Sequence, residues 1–366
     1  MRRRGRSCGS SAAEKDSLIR NAGWTDILRI LATRGQQQIL RLNPPYTIIQ
    51  PEAVVTDLIR AQNPAPRRRC HTLVYLENSH VSAYLQARCR WQRHDEWTIT
   101  TLATTERDGH QLWSLLLEEA LRQAGERGIT RVFTKVPVDD DRIELFRNLG
   151  FAVYSHERVW GNLYVKGAEL EHPRRGPLRT LESRDTFDLS QLYRQVTPRA
   201  VQQAEALTSK QWHPGSRVAV GGLAARAFVW DTASVPHDST FAPHGIGGWV
   251  RLLTGPRGHW ITTLFRPEQR GTAQDAVDYI LWMARKSAPK PTYVALREYQ
   301  VELEPLLEDR GFHLLTEQAL LVKYTAVLDR QGAPAFALQR GHRLVVSDWT
   351  MSRAAPDQVI ACPTNH

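Results

Sequence analysis

The chain has 366 residues, 42% of them hydrophobic and 23% charged, which are the proportions of a globular protein of about two ordinary domains. No run approaches the roughly 18 apolar residues of a membrane-spanning helix, and no apolar export signal opens the chain, so a cytoplasmic protein without a membrane partner is the expectation. The net charge of +10 invites acidic partners. The compact basic blocks, however, are Met1–Arg6, Arg67–Arg69 and Pro173–Gly176, in tails and linkers. Nucleic acid is therefore the weaker expectation, and an acidic small ligand or a phosphate the stronger. Cys8, Cys70, Cys89 and Cys362 form no C-x-x-C and lie beside no histidine cluster, so neither a metal site nor a disulfide framework is expected.

Taken in chain order, Ser17–Leu31 reads as a short strand, a turn and a helix with Thr25 or Asp26 near its start. His71–Trp91 is a hairpin about Glu77-Asn78-Ser79, and Glu96–Thr104 a further strand. His110–Ile129 is a helix with Leu112, Leu115, Leu116, Ala120 and Ala124 on one face and Gly128 as its stop. Thr130–Val136 is a buried strand. Asp141–Phe151, "DRIELFRNLGF", is a short helix ended by a glycine, and Phe151–Gly167 supplies closing strands.

The same order then returns. Pro177–Tyr193 repeats the strand, turn and helix, with its helix opening at Ser183–Asp185. Arg226–Ala233, Gly247–Gly255 and His259–Pro267 are strands, Thr272–Ser287 the long helix and Thr292–Glu298 the next strand. "ELEPLLEDRGF", Glu302–Phe312, repeats the Gly-Phe ending, and His313–Leu328 closes the pattern. The boundaries expected are a basic flexible N-terminus at 1–16, one unit at 17–168, a linker at 169–176, a second unit at 177–328, and a partly disordered extension at 329–366 with a strand at His342–Trp349. Thr197–Trp212 adds a helix and a polar loop. Of the eleven tryptophans, Trp91, Trp97, Trp113, Trp230, Trp249, Trp260 and Trp282 fall in expected elements, as core or interface residues or as an aromatic acceptor pocket.

This order, with its two helix-Gly-Phe endings, resembles the GNAT acyltransferase superfamily, in tandem, over most of the chain. The resemblance implies an α/β (α+β) fold of two GNAT-like domains, each a mixed, splayed central sheet flanked by helices. It implies acetyl-CoA or another acyl-CoA in the slot between the parted strands, with the pyrophosphate on the N-terminus of the following helix. An amine of a small molecule or peptide would attack the thioester directly. Homo-oligomerisation is left open.

The family's phosphate motif is Arg or Gln, two residues, Gly, one residue, then Gly or Ala. In the second half Arg270 and Gly271 fit its start and Thr272 follows, but Ala273 stands where Gly is usual and Asp275 where a small residue is usual. That carboxylate would cap the helix and repel a pyrophosphate. In the first half the resemblance places the cofactor along Leu102, Ala103 and Thr104 and then at Arg107, Gly109, His110 and Gln111. His110 either donates to a phosphate or stays a solvated turn residue. The first half is the better expected cofactor site.

The family's tyrosine acid stands four residues before the glycine of Gly-Phe, where this chain has Phe146 and Leu307. Its asparagine is matched by Asp139 and Gln300. Glu96 and Asp139 are the expected catalytic bases, with Asp140 a further carboxylate nearby, although a carboxylate in such a place is more often a plain surface acid. Three functions follow in order: an acyl-CoA-dependent N-acyltransferase, a non-catalytic tandem binding protein, and a basic nucleic-acid-associated protein.

Overall fold

The computed structural model describes residues 17–33, 37–42, 48–49, 59, 70–90, 93–106, 109–162, 178–212, 224–232, 245–287 and 289–325. Residues 1–328 form one compact unit; Asp329–His366 form a second, which lies outside the described residues, as do the expected tail strand, the basic N-terminus and the linker.

Both halves open on one device. Strand β1 (Ser17–Asn21) leads to helix α1 (Trp24–Ala32), and Asp26 in its first turn accepts the Gly23 N–H at 2.7 Å and both arms of Arg20 at 2.6 and 3.0 Å. In the second half, β8 (Arg179–Thr180) leads through a 3-10 turn (Ser183–Asp185) to α4 (Thr186–Val196). There Asp185 accepts the Glu182 N–H at 2.7 Å and both arms of Arg179 at 2.7 and 2.8 Å. A carboxylate in the first turn that satisfies the N-cap amide while complementing the helix dipole fixes where each helix starts. These two Arg-Asp pairs are the clearest trace of the internal repeat.

In the first half, β2 (Gln38–Arg41) is followed by the hairpin β3 (Cys70–Glu77) and β4 (His80–Arg90), whose turn residues Asn78 and Ser79 have φ of 50° and 66°. Then come β5 (Arg93–Thr104), α2 (His110–Glu126), β6 (Arg131–Pro137), α3 (Ile143–Asn148) and β7 (Ala152–Asn162). The second half has α5 (Arg199–Glu205), α6 (Ser209–Trp212), β9 (Ala224–Asp231), β10 (Ile246–Gly255), β11 (Gly258–Phe265), α7 (Arg270–Ser287), β12 (Thr292–Arg297), α8 (Glu304–Asp309) and β13 (His313–Tyr324).

Among the described residues all these strands belong to one sheet, in the order β1-β3-β4-β5-β6-β13-β7-β12-β11-β10-β9-β8, with β2 paired to β5 off this path. The two closing strands are exchanged. β13, from the second half, pairs antiparallel with β6 of the first; β7, from the first half, pairs antiparallel with β12 of the second. β7 and β13 pair with each other at the centre, where Glu157 stands opposite Gln318. Each is the sixth residue after its Gly-Phe, so the pair marks the axis of the repeat.

The Gly-Phe endings are structural, as expected. Gly150 and Gly311 have φ of 77° and 73°, and the next amide reaches back to the carbonyl of Phe146 at 3.0 Å or Leu307 at 2.9 Å. Phe146 and Leu307 are fully buried, and Phe146 meets Phe151 edge-on at 5.5 Å. Two details differ from the sequence reading. Leu115 is exposed on α2, while Trp113 and Leu117 are buried in its place. The described part of Phe151–Gly167 is a single strand, because exchange gives each half one long closing strand.

Candidate functional site

Parallel strands β5 and β6 stay paired only at Glu96–Arg131, Trp97–Val132 and Thr98–Phe133. Beyond Thr98 the register against β4 slips, with Thr100 as the extra residue, and β5 bends away from β6. This is the first fork. At its mouth Gly109 caps α2 without a side-chain hydrogen bond, and no acid lies in the helix's first turn. A Cβ on Gly109 would collide with the Thr104 methyl and press on the Trp113 ring, so only glycine lets this helix tip approach the strand. A cleft of about 690 Å³ opens here, lined by Gln38, Gly109, His110, Trp113, Pro137, Asp139, Asp140, Asp141 and Arg142.

The fork is partly filled by the chain itself. β2 pairs antiparallel with β5, Gln38–Arg41 against Thr104–Thr101, and the Leu42 N–H donates to the Thr100 carbonyl at 2.9 Å. Since β4 takes the other edge of β5 along this stretch, β2 lies on the edge that β6 has left. The backbone edge of Leu102, Ala103 and Thr104, expected to meet the cofactor, is therefore occupied by β2.

The opposite wall is acidic. Asp140 is chelated by the Arg142 guanidinium and accepts the Arg142 N–H at 3.0 Å. Burial alone would raise its pKa, but these bonds and the nearby Arg142 charge hold it below the usual carboxylate value. Arg142 also lies 5.6 Å above the Trp113 ring.

The second fork is built more tightly. β11 and β12 keep four paired positions, His259–Thr292 to Thr262–Ala295, and β10 pairs with β11 without a slip. Just past the last pair, Gln300 donates its side-chain N–H to the Thr263 carbonyl at 2.9 Å. A 3-10 turn (Pro267–Gln269) runs straight into α7, so the Arg270 N–H is taken by the Pro267 carbonyl. Arg270, Gly271, Thr272 and Ala273 form the first turn of the helix, with Ala273 buried in the core.

A third cluster lies where the exchanged strands meet. Lys135 on β6 donates to Glu157 on β7 at 2.6 Å, and Arg297 on β12 stands 3.6 Å from the same carboxylate. Arg297 also donates to Glu205 at 2.7 Å, at the end of α5, and Tyr193 donates to Glu205 at 2.9 Å. Burial pushes the Lys135 ammonium down against the pull of Glu157. Burial likewise pushes the Tyr193 and Tyr154 hydroxyls up, and Glu205 adds to it. Glu205 stays below the usual range, because Arg297 and the other donors outweigh its burial.

The expected site residues thus separate into groups. Gly109, His110 and Asp139 come together at the cleft, and Gln111 follows in the same helical turn. Arg107 lies outside the described residues. Glu96 lies at the closed end of the fork, buried between Arg90 and Arg131, each at 3.3 Å. Sequence reasoning missed β2 in the fork, and it missed Lys135, Glu157 and Arg297. The sequence signal available for these three was a charge within each of three strand segments, "RVFTKV", "HERVW" and "TYVALR".

No protein-family model matches the sequence, and no curated protein sequence does. Solved structures do. The chain is similar to a GCN5-related N-acetyltransferase from Sphaerobacter thermophilus at 13% identity, over 84% of this chain and 95% of that one, with a TM-score of 0.51. It is also similar to a tandem GNAT protein from the clavulanic acid biosynthesis pathway, without acetyl-CoA, at 14% identity, over 84% and 98% of the two chains, with a TM-score of 0.49. At such identities the likeness is one of fold.

Proposed function

We propose that this chain, which has the fold of a tandem GNAT acetyltransferase, is an acyl-CoA-dependent N-acyltransferase whose first half holds the cofactor and whose resting fork is closed by β2. The observation that carries the reading is the first fork itself: strands that part at a slip in register, a helix tip without a side-chain cap, and a glycine that alone permits their approach. The dipole at the tip of α2, with no acid in its first turn, suits a diphosphate, and the cleft volume is that of a ligand pocket. These residues fit the cofactor once β2 has left the β5 edge. By contrast, the second fork keeps Gln300 across its opening and a satisfied helix start.

Bound acyl-CoA would supply an activated acyl carbon, to which the acceptor nitrogen bonds as the carbon–sulfur bond breaks, the thiolate taking up a proton in place of the one the amine loses. The chain's own residues do the rest. Gly109, His110 and Gln111 hold the phosphate end at the helix tip. Asp139, which lines the cleft, takes the amine's proton in this reading. Glu96 does not suit that task, because two guanidiniums hold it at the closed end of the fork. No side chain at position 146 can protonate the thiolate, which at a free-thiol pKa of about 8.5 water can do. The acceptor is a small-molecule or peptide amine.

A second reading has its own observation. If β2 never leaves, its four pairs with β5 and the acidic wall make the first half a filled, non-catalytic scaffold. Calorimetry with acetyl-CoA separates the two. The wild-type chain should bind one equivalent, and Ile39→Pro, which breaks the β2 ladder, should bind it more tightly. No heat from either protein at millimolar acetyl-CoA would remove the enzyme reading.

A further inference from the structure

Among the described residues, the cluster at the strand exchange holds more positive than negative side chains. Its cations are Arg90, Arg131, Lys135 and Arg297; its carboxylates are Glu96, Glu157 and Glu205. Four positive groups thus face three negative ones among the described residues. The side chains of Glu157 and Glu205 are 2% and 5% exposed, whereas Lys135 and Arg297, which hold them, are 19% and 20% exposed. Solvent therefore reaches the cluster from its positive side. A surplus positive charge in a largely buried setting is costly unless an anion meets it.

Two polar atoms in the same row also lack partners. Arg297 and Gln318 flank Glu157 in direct cross-strand register, on β12 and β13. Nη1 of Arg297 and Oε1 of Gln318 are both buried and neither makes a hydrogen bond among the described residues. Gln318 is 4% exposed as a whole residue. An unmet donor and an unmet acceptor on either side of Glu157 would suit a group carrying both an acceptor oxygen and an N–H.

The position of the row is informative. Along β6, alternate residues share a face roughly 7 Å apart. Phe133 is the last residue paired at the fork, Lys135 follows on that face, and Pro137 lines the cleft. Lys135 therefore stands between the cleft and the closed end of the fork.

We propose that Lys135, Arg297 and Gln318 form the recognition site for an acceptor that carries a carboxylate beside its amine, an amino-acid-like molecule. Lys135 and Arg297 take the carboxylate, and Gln318 Oε1 accepts an N–H. The second half, whose own fork is closed, thereby contributes two of the three residues through the exchanged strands. The identity of the reacting amine rests on the acyl-transfer reading; the preference for a carboxylate does not.

Binding tests it without turnover. N-acetylglycine and N-acetyl-L-glutamate, titrated into the full chain, should each bind at least tenfold more tightly than the amides of the same compounds. Lys135→Gln and Arg297→Gln should each erase that preference, and Arg297→Lys should restore part of it. Circular dichroism of each variant checks that it is folded, and Lys135→Gln serves where Arg297→Gln is not. Equal affinity for acid and amide in the wild-type chain overturns the proposal even if acetyl-CoA binds. A clear acid preference in a chain that binds no acetyl-CoA would instead retain this site and remove the acyltransferase reading.

Discussion

Gln300 donates its side-chain N–H to the carbonyl of Thr263 at 2.9 Å, across the opening of the second fork. A buried amide thereby satisfies the strand edge that the parting of β11 and β12 leaves exposed. In the first fork β2 meets the corresponding need with backbone. The halves share a plan but close it differently, one by a buried side chain and one by a short strand. The first prediction concerns that side chain. Gln300→Ala should cost about 1–3 kcal/mol of stability in urea unfolding, the range for an unsatisfied buried partner, and should leave acetyl-CoA affinity unchanged.

Glycines at the two helix tips should respond in opposite directions. Gly109→Ala forces a methyl against Thr104 and Trp113 and should destabilise by about 1–3 kcal/mol. At Gly271 nothing lies within 4 Å of an added Cβ, so Gly271→Ala should gain roughly 0.5–1 kcal/mol from lower chain entropy. Thermal unfolding of the two variants checks the contrast.

A charge at the first helix tip should separate folding from binding. His110 is exposed at the start of α2, so His110→Glu should raise stability by about 0.3–1 kcal/mol through the helix dipole. The same carboxylate should weaken acetyl-CoA binding tenfold or more. Melting curves and calorimetry on one protein preparation read both signs.

The repeat should also be visible in acid. Asp26 and Asp185 are buried, which works against their charge, yet the bonds from Arg20, Gly23 and Arg29, and from Arg179 and Glu182, hold both below the ordinary value of 3.8. A carboxyl whose folded pKa is depressed contributes stability that is present above the unfolded value and lost as pH falls through the folded one. Stability should therefore fall below about pH 3.8, and Asp26→Asn with Asp185→Asn should flatten that fall while lowering stability at neutral pH. Urea unfolding as a function of pH checks it; an unchanged acid limb in the double variant would contradict it.

Much of the plan was legible because it is local. The Gly-Phe endings announce left-handed caps, "ENS" announces the hairpin turn, and the second appearance of strand, turn and helix announces the repeat. The exchange of β7 and β13 was not legible, since each strand is apolar enough for either neighbour and pairing partners are chosen by tertiary structure. β2 escaped for a related reason: four residues, "QILR", carry too short a period to read. Gly109 and Asp139 were named through the family pattern, and both line the cleft. Lys135, Glu157 and Arg297 lie on three strands distant in sequence, so only the assembled sheet brings them together.

Hydrogen exchange with and without acetyl-CoA tests the central claim most directly, because it reads the strand and the helix tip at once. On adding the cofactor, amides of residues 38–42 should exchange faster as β2 leaves the β5 edge, while those at 109–113 should slow. Unchanged exchange in both segments, or slower exchange at 38–42, would contradict a fork that opens to receive an acyl-CoA.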